Sequence, residues 1–212
     1  MSIRQILINA DFMNFILFIA GALMMLSPIS YLFKVSKKKV RPSILSWYGW
    51  TVLMGISIIS QIVEEGWSSG LINICVSTFS CIAIATCAQF VFKSFSVNKK
   101  DIIYVFAGAI CILIYFLSHN QWITTSTAIA ADLMLAIPTL KAAYQNPQDE
   151  RSFTWPLALS SWVLTLSVVL VNGSLINLLW PIYLILFNGT MTSFTFLRSQ
   201  KKKKLMVNLL AV

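Results

Sequence analysis

Seven long apolar runs alternate with short polar segments along the chain, at roughly 12–33, 43–63, 70–92, 102–118, 122–144, 153–172 and 175–197. The runs are continuous rather than striped. Most reach the ~20 residues that cross a bilayer core as a helix. Barrel strands would instead give ~10-residue segments of alternating polarity. The pattern predicts an all-α membrane protein with seven transmembrane helices. Composition agrees: 58% of residues are hydrophobic and 11% charged, where a soluble domain carries about 25% charged residues. Only Arg4 and no small-residue cleavage site accompany the first run, so it is expected to be the first span rather than a removed signal.

Charge then orients the spans. Lys34, Lys37, Lys38, Lys39 and Arg41 follow the first span. Lys93, Lys99 and Lys100 follow the third, Lys141 and Arg151 flank the loop after the fifth, and Arg198 with Lys201 to Lys204 follow the seventh. Of sixteen basic residues, only Arg4 falls on the opposite side, with Asp11, Glu64, Glu65 and the lone His119. The positive-inside rule then predicts the N-terminus outside and the C-terminus in the cytoplasm, with the cell (inner) membrane as the expected location. The net charge of +9 is spread over short loops, which argues against a nucleic-acid partner. The "KKKK" tail suits a stop-transfer anchor or a site for anionic lipid headgroups. Cys75, Cys81, Cys87 and Cys111 all lie in apolar runs without a CxxC pair, and are expected to act as small hydrophobes.

The chain also repeats. "SPISYLFKVSKKKVRPSILSWYGW" (27–50) is matched by "IPTLKAAYQNPQDERSFTWPLALSSW" (137–162), and "SGLINI" (69–74) by "GSLINL" (173–178). Pro28 pairs with Pro138, Arg41 with Arg151, Trp50 with Trp162 and Asn73 with Asn177. The expected organisation is a three-helix unit over 1–93, a linker helix over 94–120, a second unit over 121–200 and a basic tail over 201–212. A three-span unit ends on the side opposite its start, so joining two in the same orientation needs one extra crossing. Parallel repeats of this kind are related by an axis along the membrane normal, and the fourth span is expected to pack peripherally.

These residues resemble the SWEET, SemiSWEET and PQ-loop superfamily, over nearly the whole chain in topology and about two short segments per repeat in motif. Pro138-Thr139 is similar to the proline motif of that family's first helix, as is Pro28 with Ile29 after it. Pro42 and Pro156 stand where second-helix prolines would. The glutamine of the PQ motif is absent from both halves. The resemblance implies a transporter of a small solute, with Trp50, Trp162, Asn73 and Asn177 facing it and Pro28, Pro42, Pro138 and Pro156 as hinges. Sugar, nucleoside and small cation are the solute classes considered. A membrane receptor or assembly factor on the same fold is the alternative.

"ADLMLAIPTLK" (131–141) carries the most unusual chemistry. Asp132 lies near mid-span, where a charge costs on the order of 3 kcal/mol. It could be a neutral acid bonded to a backbone carbonyl, or a cation contact or proton relay. Pro138 frees a carbonyl one turn back, tolerable only beside other helices or water. Trp50 and Trp162, eight to ten residues into their spans, either stack on a ligand or pack helices together. Trp47, Trp67, Trp122 and Trp155 lie nearer the ends and read as interfacial anchors. Asn188 is a ligand contact or interhelical glue. Gly21, Gly55, Gly108 and Gly189 read as close helix contacts. HExxH, GxSxG, a phosphate-binding glycine loop and a His/Cys cluster are all absent from the sequence. The expectation is therefore no enzyme, no metal and no cofactor. Self-association stays open.

Overall fold

The computed structural model describes residues 10–65, 71–93, 102–118, 120–172 and 175–198. Within them the chain forms seven α-helices: α1 (Ala10–Ser36), α2 (Ile44–Glu65), α3 (Leu71–Phe92), α4 (Ile102–Leu117), α5 (Gln121–Gln145), α6 (Thr154–Asn172) and α7 (Leu175–Thr192). A π-helical turn, Ser193–Arg198, continues α7. The apolar runs located these helices within three residues at their starts. Five segments are long and apolar enough to cross a membrane, in α1, α3, α5, α6 and α7 with its π turn; the apolar parts of α2 (Ile44–Ile59) and α4 (Ile102–Ile114) are shorter.

Local signals set the boundaries. Asn120 caps α5, its Oδ1 accepting from the backbone N–H groups of Trp122 at 2.9 Å and Ile123 at 3.4 Å, as an N-cap asparagine should. Ser43 does the same for α2 through Ser46 N. Pro28, Pro138 and Pro181 lie inside α1, α5 and α7. Pro42 precedes α2, and Pro156 sits in the first turn of α6. Neither removes a helical hydrogen bond, which corrects the expectation that all four motif prolines act as hinges. Of these four, only Pro28 and Pro138 lie within a helix beyond its first turn, as does Pro181, which is outside the motif.

Packing is inside-out relative to a soluble protein. Phe15, Phe18, Ile29 and Phe33 of α1 and Phe79 and Phe90 of α3 are exposed, while Ser27, Asp132, Glu150, Thr154, Ser161 and Asn188 are buried. α3 packs against both α1 and α2, and α7 against both α5 and α6. Between these groups α1 packs on α6 and α2 on α5, and α4 leans mainly on α5. The α1–α2 and α5–α6 loops meet at one end, where Arg41 N donates to Asp149 O at 2.6 Å. That end carries Lys37, Lys38, Lys39, Arg41 and Arg151 and is called the basic end below.

The α1–α6 seam is polar. Ser161 Oγ donates to Ala20 O at 2.8 Å. Thr154 Oγ1 donates to Ser27 O at 2.7 Å, and Ser27 Oγ to Thr154 O at 3.2 Å. The α2–α5 crossing is apolar and close. A Cβ on Gly49 would fall 2.5 Å from Leu135 Cδ2, and one on Gly108 of α4 would fall 3.5 Å from Leu135 Cγ. Leu135 thus fills a notch between two glycines. Gly108 was expected to mark a close contact and does. A Cβ on Gly21 or Gly55 would meet nothing, and one on Gly189 only Leu159 at 3.9 Å, so those three do not serve that purpose.

Gly49→Val should overpack this notch and destabilise the fold by about 1–3 kcal/mol. Leu135→Ala added to it should recover part of the loss, although Leu135→Ala alone should be destabilising. Thermal unfolding of the three variants in detergent checks the sign of the coupling. Simple additivity would contradict the contact.

Candidate functional site

Five aromatic side chains close a ring between the helices at the basic end. Tyr31 of α1 stands 4.9 Å from Trp47 of α2, Trp47 stands 5.2 Å from Trp50, and Trp50 lies 6.0 Å from Phe187 of α7. Phe187 lies 5.9 Å from Trp155 of α6, and Trp155 lies 5.9 Å from Tyr31, all between centroids. Most of these contacts are edge-to-face, the geometry that aromatic quadrupoles favour. The helical spacing of Trp47 and Trp50, and of Tyr183 and Phe187, places each pair on one helix face.

Two buried acids flank the ring. On one side Tyr183 stacks on Phe187 at 6.4 Å, and its hydroxyl donates to Asp132 Oδ2. On the other the Tyr31 hydroxyl donates to Glu150 Oε2 at 2.5 Å. Trp155 Nε1 donates to the Glu150 carbonyl at 3.0 Å. Glu150 is in the α5–α6 loop and fully buried. Burial pushes its carboxyl from the ordinary 4.5 up to about 8. The Tyr31 hydrogen bond partly offsets that rise, and the neighbouring Asp149 charge adds to it.

Several polar atoms here are buried without a hydrogen-bond partner: Trp47 Nε1, Trp50 Nε1, Glu150 Oε1, Thr139 Oγ1 and Thr192 Oγ1. Each such atom costs about 1–3 kcal/mol. Three of them belong to the ring or its flanking acid. Aromatic faces, indole N–H groups and the Glu150 carboxyl are thus packed together in one place.

The expected site residues divide accordingly. Trp50 is in the ring. Trp162, its proposed counterpart, is half-buried on α6, and no ring contact joins it to the five. Trp47 and Trp155, expected as interfacial anchors, are buried ring members, because Tyr31 of α1 packs against both and the Glu150 carbonyl meets the Trp155 indole. Trp122 is exposed, as an anchor should be. Asp132 is buried, and its partner is Tyr183. Asn188 is buried and donates to Leu184 O at 2.8 Å, a bond within its own helix. Asn177 is exposed. The side chain of Asn73, and the whole of Trp67, His119 and the 201–212 tail, lie outside the described residues. No group of three metal-ligating side chains occurs among the described residues.

Sequence reasoning missed Tyr31, Glu150, Tyr183 and Phe187. Glu150 had a signal, as one of two adjacent acids in a short loop at the basic end. Tyr31, three residues after Pro28, shares a helix face with it. Comparison with protein-family models, with curated proteins and with solved structures finds no match.

Tyr183→Phe should destabilise the protein by about 1–3 kcal/mol by stranding the Asp132 carboxyl. Asp132→Asn keeps an acceptor for the phenol and should be milder. Asp132→Leu combined with Tyr183→Phe should come close to wild type if the pair is only structural. Unfolding midpoints of the three variants separate these cases.

Proposed function

We propose that this chain is a SWEET-like transporter that moves a small solute across a cell membrane by alternating access. The aromatic ring, toward the basic end, is its solute site, and the basic end faces the cytoplasm. One observation carries the proposal: the ring is drawn from helices of both proposed three-helix units and contains buried indole N–H groups without partners. A core evolved only for packing would have little reason to keep them.

The helix contacts support the repeat. Exchanging α1, α2, α3 with α5, α6, α7 turns the α1–α6 contact into α5–α2 and leaves the packed pairs among these six helices unchanged. The meeting of the two loops at one end favours parallel over inverted units. Parallel units are related by an axis along the membrane normal, and alternating access is the rocking of one against the other around a fixed site. Pro28 and Pro138 occupy the same level in α1 and α5 and serve as the bends. Asp132 lies beyond Phe187 from the ring and gives a cationic or hydroxylated solute an acceptor.

Purified protein in liposomes should exchange at least one of three labelled probes: glucose, uridine or choline. Trp50→Phe keeps a ring and removes the N–H, and should raise the half-saturation concentration about tenfold, equivalent to about 1.4 kcal/mol. Trp162→Phe should change it little. Exchange of none of the probes, together with a protein partner that copurifies in equal amount, would point instead to a receptor or assembly factor.

A further inference from the structure

We infer that Glu150 is a proton-binding latch: protonated, it locks the α5–α6 loop onto α1 and closes the basic end, and deprotonated, it releases that end. The inference rests on the alternating-access proposal only for what the movement serves.

The geometry concentrates closure on this loop. Four contacts fasten residues 149–155 to the other unit or to the helix ends: Arg41 N on Asp149 O, the Tyr31 hydroxyl on Glu150 Oε2, Lys34 Nζ on Arg151 O at 3.1 Å, and Thr154 with Ser27. Of these, only the Tyr31–Glu150 bond joins two fully buried ionisable side chains; Lys34, which donates to the Arg151 carbonyl, is half-buried. Glu150 Oε2 is engaged, whereas Oε1 is buried without a partner. A proton on Oε1 removes the charge and leaves the Tyr31 bond to Oε2 in place.

The charged groups around Glu150 do not neutralise it. On α1, Lys34 donates to the Arg151 carbonyl and lies 5.2 Å from the Phe153 ring. In the loop itself, Arg151 stacks 5.2 Å from Phe196 of the π turn. Asp149 repels a Glu150 carboxylate. Arg41, before α2, stacks 5.6 Å from Phe92 of α3. Lys141, a turn before the end of α5, lies 5.5 Å from the Tyr104 ring of α4. On α2 and α6 the neighbours are the neutral indoles of Trp47 and Trp155.

The sign follows from linkage. The closed form binds the Glu150 proton more tightly than an open, hydrated form does. Closure is therefore fully favoured below about 4.5, weakens by up to tenfold per pH unit above it, and loses this support as pH passes about 8.

Two readouts need no solute. Trp155 and Trp47 adjoin the latch, so indole emission of the wild type should titrate with a midpoint between 5 and 8. Glu150→Gln, neutral at every pH and able to keep the Tyr31 bond, should abolish that transition. Tyr31→Phe removes the phenol that favours the carboxylate, and should move the midpoint upward. Ser152→Cys places a thiol in the loop, where Ser152 is fully buried. Its labelling by an impermeant maleimide between pH 5.5 and 7.5 should accelerate at least about tenfold more than in the Glu150→Gln background, which subtracts the thiolate's own pH dependence. An emission transition that persists in Glu150→Gln, or equal acceleration in both backgrounds, would overturn the latch. Either result stands whether or not any probe is transported.

Discussion

The α1–α6 seam is the contact on which the rest of the arrangement depends. In lipid the apolar surfaces of helices gain little by meeting, so association falls to close packing and interhelical hydrogen bonds. Along α1 the seam uses Ala20, Ser27, Tyr31 and Lys34, spaced by seven, four and three residues on one helix face. Against them stand Ser161, Thr154, Glu150 and the Arg151 carbonyl. Most of these bonds use a main-chain carbonyl on one side. The Tyr31–Glu150 bond is between two side chains, and it is also the one nearest the aromatic ring, since Tyr31 belongs to both.

This overlap links packing to function. The ring cannot open at the basic end without moving Tyr31 from Trp47 or Trp155, and Tyr31 is tied to Glu150. The second crossing, α2 on α5, has no comparable polar stripe. There Leu135 sits between Gly49 and Gly108, a contact with no directional bonds and a short approach. In the proposed alternating access, this smooth apolar crossing beside the stiff polar seam is the pivot of the two units. The two unusual residues of 131–141 also separate. Asp132 belongs to the α5–α7 contact through Tyr183, while Pro138 lies about 9 Å further along the helix axis and acts on the shape of α5.

Much of the fold was legible because a bilayer leaves the sequence few choices. Continuous apolar runs gave seven helices, and Asn120 and Ser43 stood where caps were needed. The site was less legible for a physical reason. Depth along a span does not mark these tryptophans as buried, yet Trp47 and Trp155 near helix ends are buried against Tyr31 of α1, and Trp155 also against the Glu150 carbonyl. Contact from a neighbouring helix is a tertiary property that periodicity does not carry. Glu150 was missed likewise: an acid in a loop is ordinarily solvated, and only the Tyr31 and Trp155 contacts show that this one is not.

Distances between spin labels test the central claim of alternating access most directly. In a background with the four cysteines replaced, one label pair on Lys39 and Gln148 spans the basic end, and a second on Ile62 and Trp122 spans the opposite end of the α2–α5 crossing. Each pair should show a shorter and a longer population. Raising the pH from 5.5 to 8 should lengthen the first pair while shortening the second. A single unchanging distance at both ends would contradict alternating access and leave a static bundle in its place.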